Sequence, residues 1–126
     1  MPKIVCLSDT HNCNEQIAVP DGDILIHAGD ATIRGTIDEI ILFNRWFKNL
    51  PHPHKIFVAG NHDWLFETIN SYARNLLDSS IYYLQDSSVE IEKMKMKVMN
   101  KIQRRFIIDN DNKENLVLDI KLKRLM

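Results

Sequence analysis

Three short apolar runs, each closed by a polar cluster, restrict what this chain can fold into more than any other feature. "KIVCLS" at residues 3–8 runs into "DTH", "DILIHAG" at 23–29 runs into Asp30, and "KIFVA" at 55–59 runs into "GNHD". Apolar and β-branched residues without strict polar alternation mark strands covered on both faces, as in α/β proteins. Turn-forming stretches, "PDGD" and "PHPH", precede the second and third runs and set where they start. The expected class is therefore α/β.

The segments between the runs read as helices. Thr36 and Glu39 have the spacing of a capping box, in which a hydroxyl and a carboxylate satisfy free amides reciprocally. Ile37, Ile40, Ile41 and Phe47 then fall on one face, and Pro51 closes the segment. A second helix is expected from Trp64 to Leu77, striped by Leu65, Ile69, Tyr72, Ala73 and Leu76. "IYYL" (81–84) and "SVEI" (88–91) read as two short strands joined by "QDS". Further on, "KMKMKV" alternates charge with apolar bulk, and "RRFII" and "LVLDIKL" flank "DNDNKEN" like the arms of a hairpin. Cys6 reads as a small core residue, His27 as a hydrogen-bonded interior histidine, and His52 and His54 as part of a solvated turn. Trp46 and Trp64 read as packing residues.

At 126 residues the chain holds one domain at most. Its formal net charge of −1 gives no overall bias toward nucleic acid or a membrane. No apolar run approaches the roughly 20 residues a bilayer span needs. The opening "MPKIVCLSDT" lacks the pattern of a signal peptide, and two cysteines make no disulfide framework, so a reduced, cytoplasmic protein is expected.

In an open α/β sheet, ligand sites gather beyond the carboxyl ends of the strands. If the three runs are parallel neighbours, Asp9, His11, Asp30, Asn61 and His62 face one crevice. Carboxylate, imidazole and amide oxygen together suit divalent Mn, Fe or Zn. Asp9 and His11 can reach one ion, Asp30 can bridge two, and Asn61 offers a neutral oxygen to the second. Two ions roughly 3.5–4 Å apart lower the pKa of a bridging water and clamp a phosphoryl group. His62 is then free to protonate the leaving oxygen, with Asp63 orienting its ring. Each cluster also has a plainer reading: Asp9, His11 and Asp30 as turn residues, and Asn61 to Asp63 as a helix cap. Their recurrence at three successive strand ends favours the metal site.

"SDTHN", "ILIHAGD" and "IFVAGNHD" resemble the ordered motifs D-x-H, G-D and G-N-H-[DE] of the calcineurin-like metallophosphoesterases. The longer stretch "DGDILIHAGDAT…FNRWFKNLP…KIFVAGNHDW", with "IYYLQDSSVEI", is similar to a small subfamily of metallophosphoesterase-domain proteins. The resemblance covers about residues 2–96. It implies the N-terminal portion of an αββα sandwich, a mixed sheet with flanking helices. It also implies metal ligands at Asp9, His11, Asp30 and Asn61 and a catalytic His62. Family members hydrolyse phosphomonoesters or phosphodiesters, cyclic nucleotides among them, usually with two metals.

The family completes its metal site with later histidines, one isolated and two in G-H-x-H. This chain has five histidines and none after His62. One ion would keep Asp9, His11 and Asp30, whereas a second would keep only Asp30 and Asn61, a poor set for tight binding. Residues 1–92 hold six Lys/Arg against thirteen Asp/Glu, residues 93–126 ten against four, and the chain has no Gly after Gly60 and no Pro after Pro53. These changes divide the chain into a truncated phosphoesterase domain at 1–96 and a divergent basic tail at 97–126. They suggest a change of reading frame near residue 97. Translating the downstream DNA in the other two frames tests this: absence of a later histidine motif in both would rule it out. The tail reads as a solvated or disordered face rather than an RNA-binding one.

The expected function is divalent-metal-dependent hydrolysis of a small phosphoester, without membrane or nucleic-acid partners. The alternative is a truncated, non-catalytic remnant that binds one ion weakly, or a fragment needing a separate C-terminal piece. A half-sandwich would expose a sheet face, so low stability and self-association are expected.

Overall fold

The computed structural model describes residues 2–91, 94–99, 105–109 and 115–119, which fall into two units, Met1–Tyr83 and Leu84–Met126. The first unit carries β1 (Ile4–Leu7), β2 (Ile24–His27), α1 (Ile37–Lys48), β3 (His54–Phe57), α2 (Trp64–Thr68), α3 (Asn70–Asn75) and β4 (Ile81–Tyr83). Its four strands form one sheet in the order β1-β2-β3-β4, and every pairing is parallel. Leu7, His27 and Phe57 share one row of the register, so the first three strands end level. The three polar clusters therefore leave the sheet side by side. The α/β class and the flanking helices follow the sequence expectation, and the three strands that carry the polar clusters are parallel neighbours.

The capping box is present: Glu39 N–H donates to Thr36 Oγ1 at 3.3 Å, and Thr36 N–H donates to Glu39 Oε1 at 3.3 Å. Glu39 also accepts from Ile33 N–H at 2.8 Å and Arg34 N–H at 3.1 Å, so it orders the loop before the helix as well as the helix start. Partial burial raises its pKa, but the bonds from Asn12, Ile33, Arg34 and Thr36 prevail and hold it at about 2. Its contribution is present above its ordinary value of 4.5 and is lost as pH falls toward 2. Glu39→Ala is expected to lower stability by about 1–2 kcal/mol, a cap together with loop bonds in a partly exposed setting. An unchanged urea midpoint would contradict this.

The buried face of α1 is Ile40, Phe43 and Phe47, whereas Ile37 and Ile41 are 41% and 39% exposed. The expected stripe was thus rotated, because the two phenylalanines pack on Phe57 and His27 beneath them. The second helix is not continuous. Ile69 leaves helical geometry at φ −133° and ψ 70°, splitting it into α2 and α3, with Ile69 and Tyr72 exposed. Thr68, Ile69, Asn70 and Ser71 are all weak helix formers. The Thr68 hydroxyl donates back to Trp64 O and Asn70 Nδ2 donates to Phe66 O, supplying side-chain donors to carbonyls at the break.

Other local expectations are corrected. Val5 takes the core face of β1, which leaves Cys6 on the opposite face of an outer strand, exposed rather than buried. His52 is buried and its Nε2–H donates to Pro20 O at 2.8 Å, so it is not solvated, and His54 opens β3. Trp46 packs against the core, but Trp64 is 58% exposed. Lys55 is also buried, its ammonium donating to Lys48 O at the end of α1.

The second unit contains β5 (Ser88–Ile91), β6 (Met94–Met99), β7 (Arg105–Asp109) and β8 (Asn115–Asp119), paired antiparallel in that order. β4 and β5 are therefore not partners: β4 joins β3, and β5 joins β6. Met94 and Met96 are buried while Lys95 and Lys97 are exposed, the period-two pattern of a strand with one covered face. β7 and β8 form the expected hairpin arms, with Asp109 opposite Asn115, so these tail segments are strands rather than disordered chain. The connecting residues 110–114 and the remaining tail at 100–104 and 120–126 lie outside the described residues. Among the described residues no helix is long and apolar enough to cross a membrane.

Candidate metal centre

The loops after β1 and β2 are laced together by backbone bonds. Asp9 N–H donates to Gly29 O at 2.9 Å, His11 N–H to Asp30 O at 3.0 Å, and Asn12 N–H to Ala31 O at 2.9 Å. This lacing brings one ligand atom from each of Asp9, His11 and Asp30 within 4.8 Å of the others. Asp9 is exposed, His11 half-buried and Asp30 buried, so the cluster opens to solvent on the Asp9 side.

The loop after β3 closes over Asp30. His62 N–H donates to Asp30 Oδ1 at 2.9 Å. A Cβ on Gly60 would collide with that same Oδ1 and with the Asp30 backbone nitrogen, so the close approach requires glycine. Gly29, at φ +106°, stands against Gly60, and a Cβ there would come within 2.8 Å of the Gly60 Cα. Asn61, between Gly60 and His62, has a buried amide nitrogen without a hydrogen-bond partner.

The two site histidines are fixed in the same manner. His11 Nδ1–H donates to Thr32 O at 3.2 Å, and His62 Nδ1–H donates to Ile33 O at 2.8 Å. In each ring Nε2 is left to face a ligand or a proton acceptor. The rings stand edge to face, centroids 4.8 Å apart. His11 Nε2 lies 3.7 Å from Asp9 Oδ1.

Asp63 does not orient the His62 ring, as the sequence suggested; the Ile33 carbonyl does. Its carboxylate faces the other way and accepts from Gly60 N–H at 2.8 Å, Asp30 N–H at 2.9 Å, Thr32 N–H at 3.0 Å and Thr32 Oγ1–H at 2.7 Å. It is 1% exposed and ties the loops after β2 and β3 together. Burial pushes its carboxyl above the usual carboxylate range, donors from Gly60 and Thr32 pull it back, and the Asp30 charge adds to the rise. Each of its hydrogen-bond partners is a donor, so the bonds favour the ionised form against burial and the Asp30 charge. It also stands at the N-cap of α2 without making a side-chain cap bond.

Four contributors were not evident from the sequence. Thr32 and Ile33 act through backbone carbonyls, which leave no mark in a residue pattern. Thr10, between Asp9 and His11, is buried, and its Oγ1 accepts from His27 Nε2–H at 2.9 Å. Asn12 Nδ2–H donates to Glu39 Oε2 at 2.8 Å, tying the first loop to the start of α1.

The donor set suits a divalent cation: two carboxylates and an imidazole with its tautomer fixed by a carbonyl, while the loop that closes over Asp30 carries an amide with an unsatisfied buried atom. Rotating the Asn61 amide by half a turn puts its oxygen where that unpaired nitrogen lies.

Comparison with known proteins points the same way. A family model described as calcineurin-like phosphoesterase matches residues 2–120. A UPF0046 protein of Caenorhabditis elegans is 41% identical over 71% of this chain and 36% of its own length. Human metallophosphoesterase domain-containing protein 1 is 41% identical over 68% of this chain and 26% of its own length. A second UPF0046 protein of C. elegans is 52% identical over 52% of this chain and 24% of its own length. The chain thus spans about a quarter to a third of the length of these curated relatives.

Proposed function

This chain belongs to the calcineurin-like phosphoesterase family, and from that membership we propose that it hydrolyses small phosphoesters in a divalent-metal-dependent reaction. Phosphodiesters and phosphomonoesters are both within the proposed class, cyclic nucleotides included. The observation that carries this reading is the convergence of Asp9, His11 and Asp30 to within 4.8 Å beyond level strand ends.

Asp9, His11 Nε2 and Asp30 would hold one ion, and Asp30 with Asn61 a second, with Mn, Fe or Zn fitting these donors. Bound ions supply a water of lowered pKa and offset charge on the phosphoryl oxygens. Asp30 accepts from the His62 N–H at one oxygen, which ties its carboxylate to the loop after β3. His62 is held at Nδ1 by Ile33 O, so Nε2 is the atom that would take a proton from solvent and, as the imidazolium, pass it to the leaving oxygen.

The test is metal analysis of the purified chain combined with hydrolysis of bis(p-nitrophenyl) phosphate. Stoichiometric metal with turnover is expected. Asp30→Ala is expected to abolish metal retention. His62→Ala is expected to keep the metal and lower turnover by about 10²–10⁴-fold. Absence of both metal and turnover would leave the non-catalytic reading. Turnover that appears only on adding the C-terminal part of a relative would identify this chain as one half of a site.

A further inference from the structure

His27 has no place in the chemistry above, yet it is the one fully buried histidine among the described residues and makes hydrogen bonds at both ring nitrogens. Gly29 N–H donates to Nδ1 at 3.2 Å. Nδ1 is thereby the acceptor of the neutral ring, so the proton sits on Nε2, which donates to Thr10 Oγ1 at 2.9 Å. Thr10 lies between Asp9 and His11, and Gly29 immediately precedes Asp30. One ring thus holds both loops that carry the three converging donors. Below it the ring is packed among Phe43, Phe47 and Phe57, with centroids 5.2, 6.1 and 5.7 Å away.

The residues it holds between need such an anchor. Asp9, His11 and Asp30 all have left-handed backbone conformations, with φ of 56°, 41° and 55°. Conformations of this kind persist in non-glycine residues only where the surroundings over-determine them. Backbone lacing sets the spacing between the two loops but leaves the Thr10 hydroxyl, which points into the protein, without an acceptor or donor of its own. His27 supplies that partner from the rigid end of β2.

The geometry points to His27 as a positioning residue of the metal centre, a two-sided clamp that presets Asp9, His11 and Asp30 before any ion arrives. This rests on the metal-site reading given above. His27 touches neither ion nor substrate; it acts through Thr10 and Gly29.

The experiment measures Mn affinity by isothermal titration alongside stability by urea denaturation, on the whole chain. His27→Phe fills a similar volume among three phenylalanines but removes both bonds. It is expected to weaken Mn binding by at least 10-fold. Leu77→Ala, a core substitution outside the site, serves as the comparison: it should lower stability and leave Mn affinity within 2-fold. His27→Gln, which restores a donor toward Thr10, should recover part of the affinity. In the metal-free protein, amide exchange at Thr10 and Gly29 should quicken in His27→Phe beyond its change at Ala73. Wild-type Mn affinity in His27→Phe would overturn the clamp and leave the metal site standing. If the wild type binds no Mn, the metal centre itself falls and the clamp with it. If His27→Phe does not fold, His27→Gln decides: unchanged affinity and exchange there would overturn the proposal.

Discussion

Asp63→Ala is expected to unfold the first unit. The substitution removes the acceptor for Gly60 N–H, Asp30 N–H, Thr32 N–H and the Thr32 hydroxyl at one stroke, in a site that is 1% exposed. Each buried donor left without a partner costs about 1–3 kcal/mol. Even with strong non-additivity the loss is on the order of 5 kcal/mol, against a total stability of about 5–15 kcal/mol for a typical domain. Asp63→Asn keeps one acceptor oxygen and turns an amide donor toward other donors, so it should fall between. Far-ultraviolet circular dichroism in a urea series measures both. An alanine variant within about 1 kcal/mol of the wild type would show that the carboxylate does not join the loops.

Acid should destabilise the fold through His27. Burial lowers its pKa to about 3, with Asp9 working the other way and His11 adding to the fall, against an ordinary value of 6.5. Between those values the unfolded chain binds a proton that the folded chain does not. The stabilisation is therefore complete above the ordinary value and shrinks as pH drops toward the folded one. At pH 4 the loss relative to pH 7 is about 3 kcal/mol from this single group. Urea midpoints of metal-free protein at pH 7, 5.5 and 4 measure it. The difference between wild type and His27→Gln isolates the imidazole from carboxylate effects. Parallel pH dependences in the two proteins would mean that His27 charges freely in the fold.

The strand ends were legible because a parallel sheet converts sequence order into spatial adjacency. Once Leu7, His27 and Phe57 share a register row, Asp9, Asp30 and Asn61 must leave the sheet as neighbours. The start of α1 was legible too, since the Thr36–Glu39 box is local. Choices made by the tertiary environment were not legible. Whether Ile41 or Phe43 turns inward depends on the rings of His27 and Phe57, which arrive from other elements. Exposure of Cys6 depends on β1 being an outer strand of its sheet. Asp63 was expected to hold its neighbour's ring, but its partners are mostly backbone amides some thirty residues away in the loop after β2. Backbone donors are the same for every sequence, so residue types could not reveal them.

The left-handed backbone at Asp9, His11, Asn12 and Asp30 has a consequence for how this protein can change. These are positions where glycine would relieve strain, and a chain refined only for robustness would drift toward it. Three of the four bear the converging donor atoms, so that drift would erase the pocket it steadied. Durability and chemistry are set against each other in the same few peptide units, and gains in one must come from elsewhere in the molecule if the other is to survive.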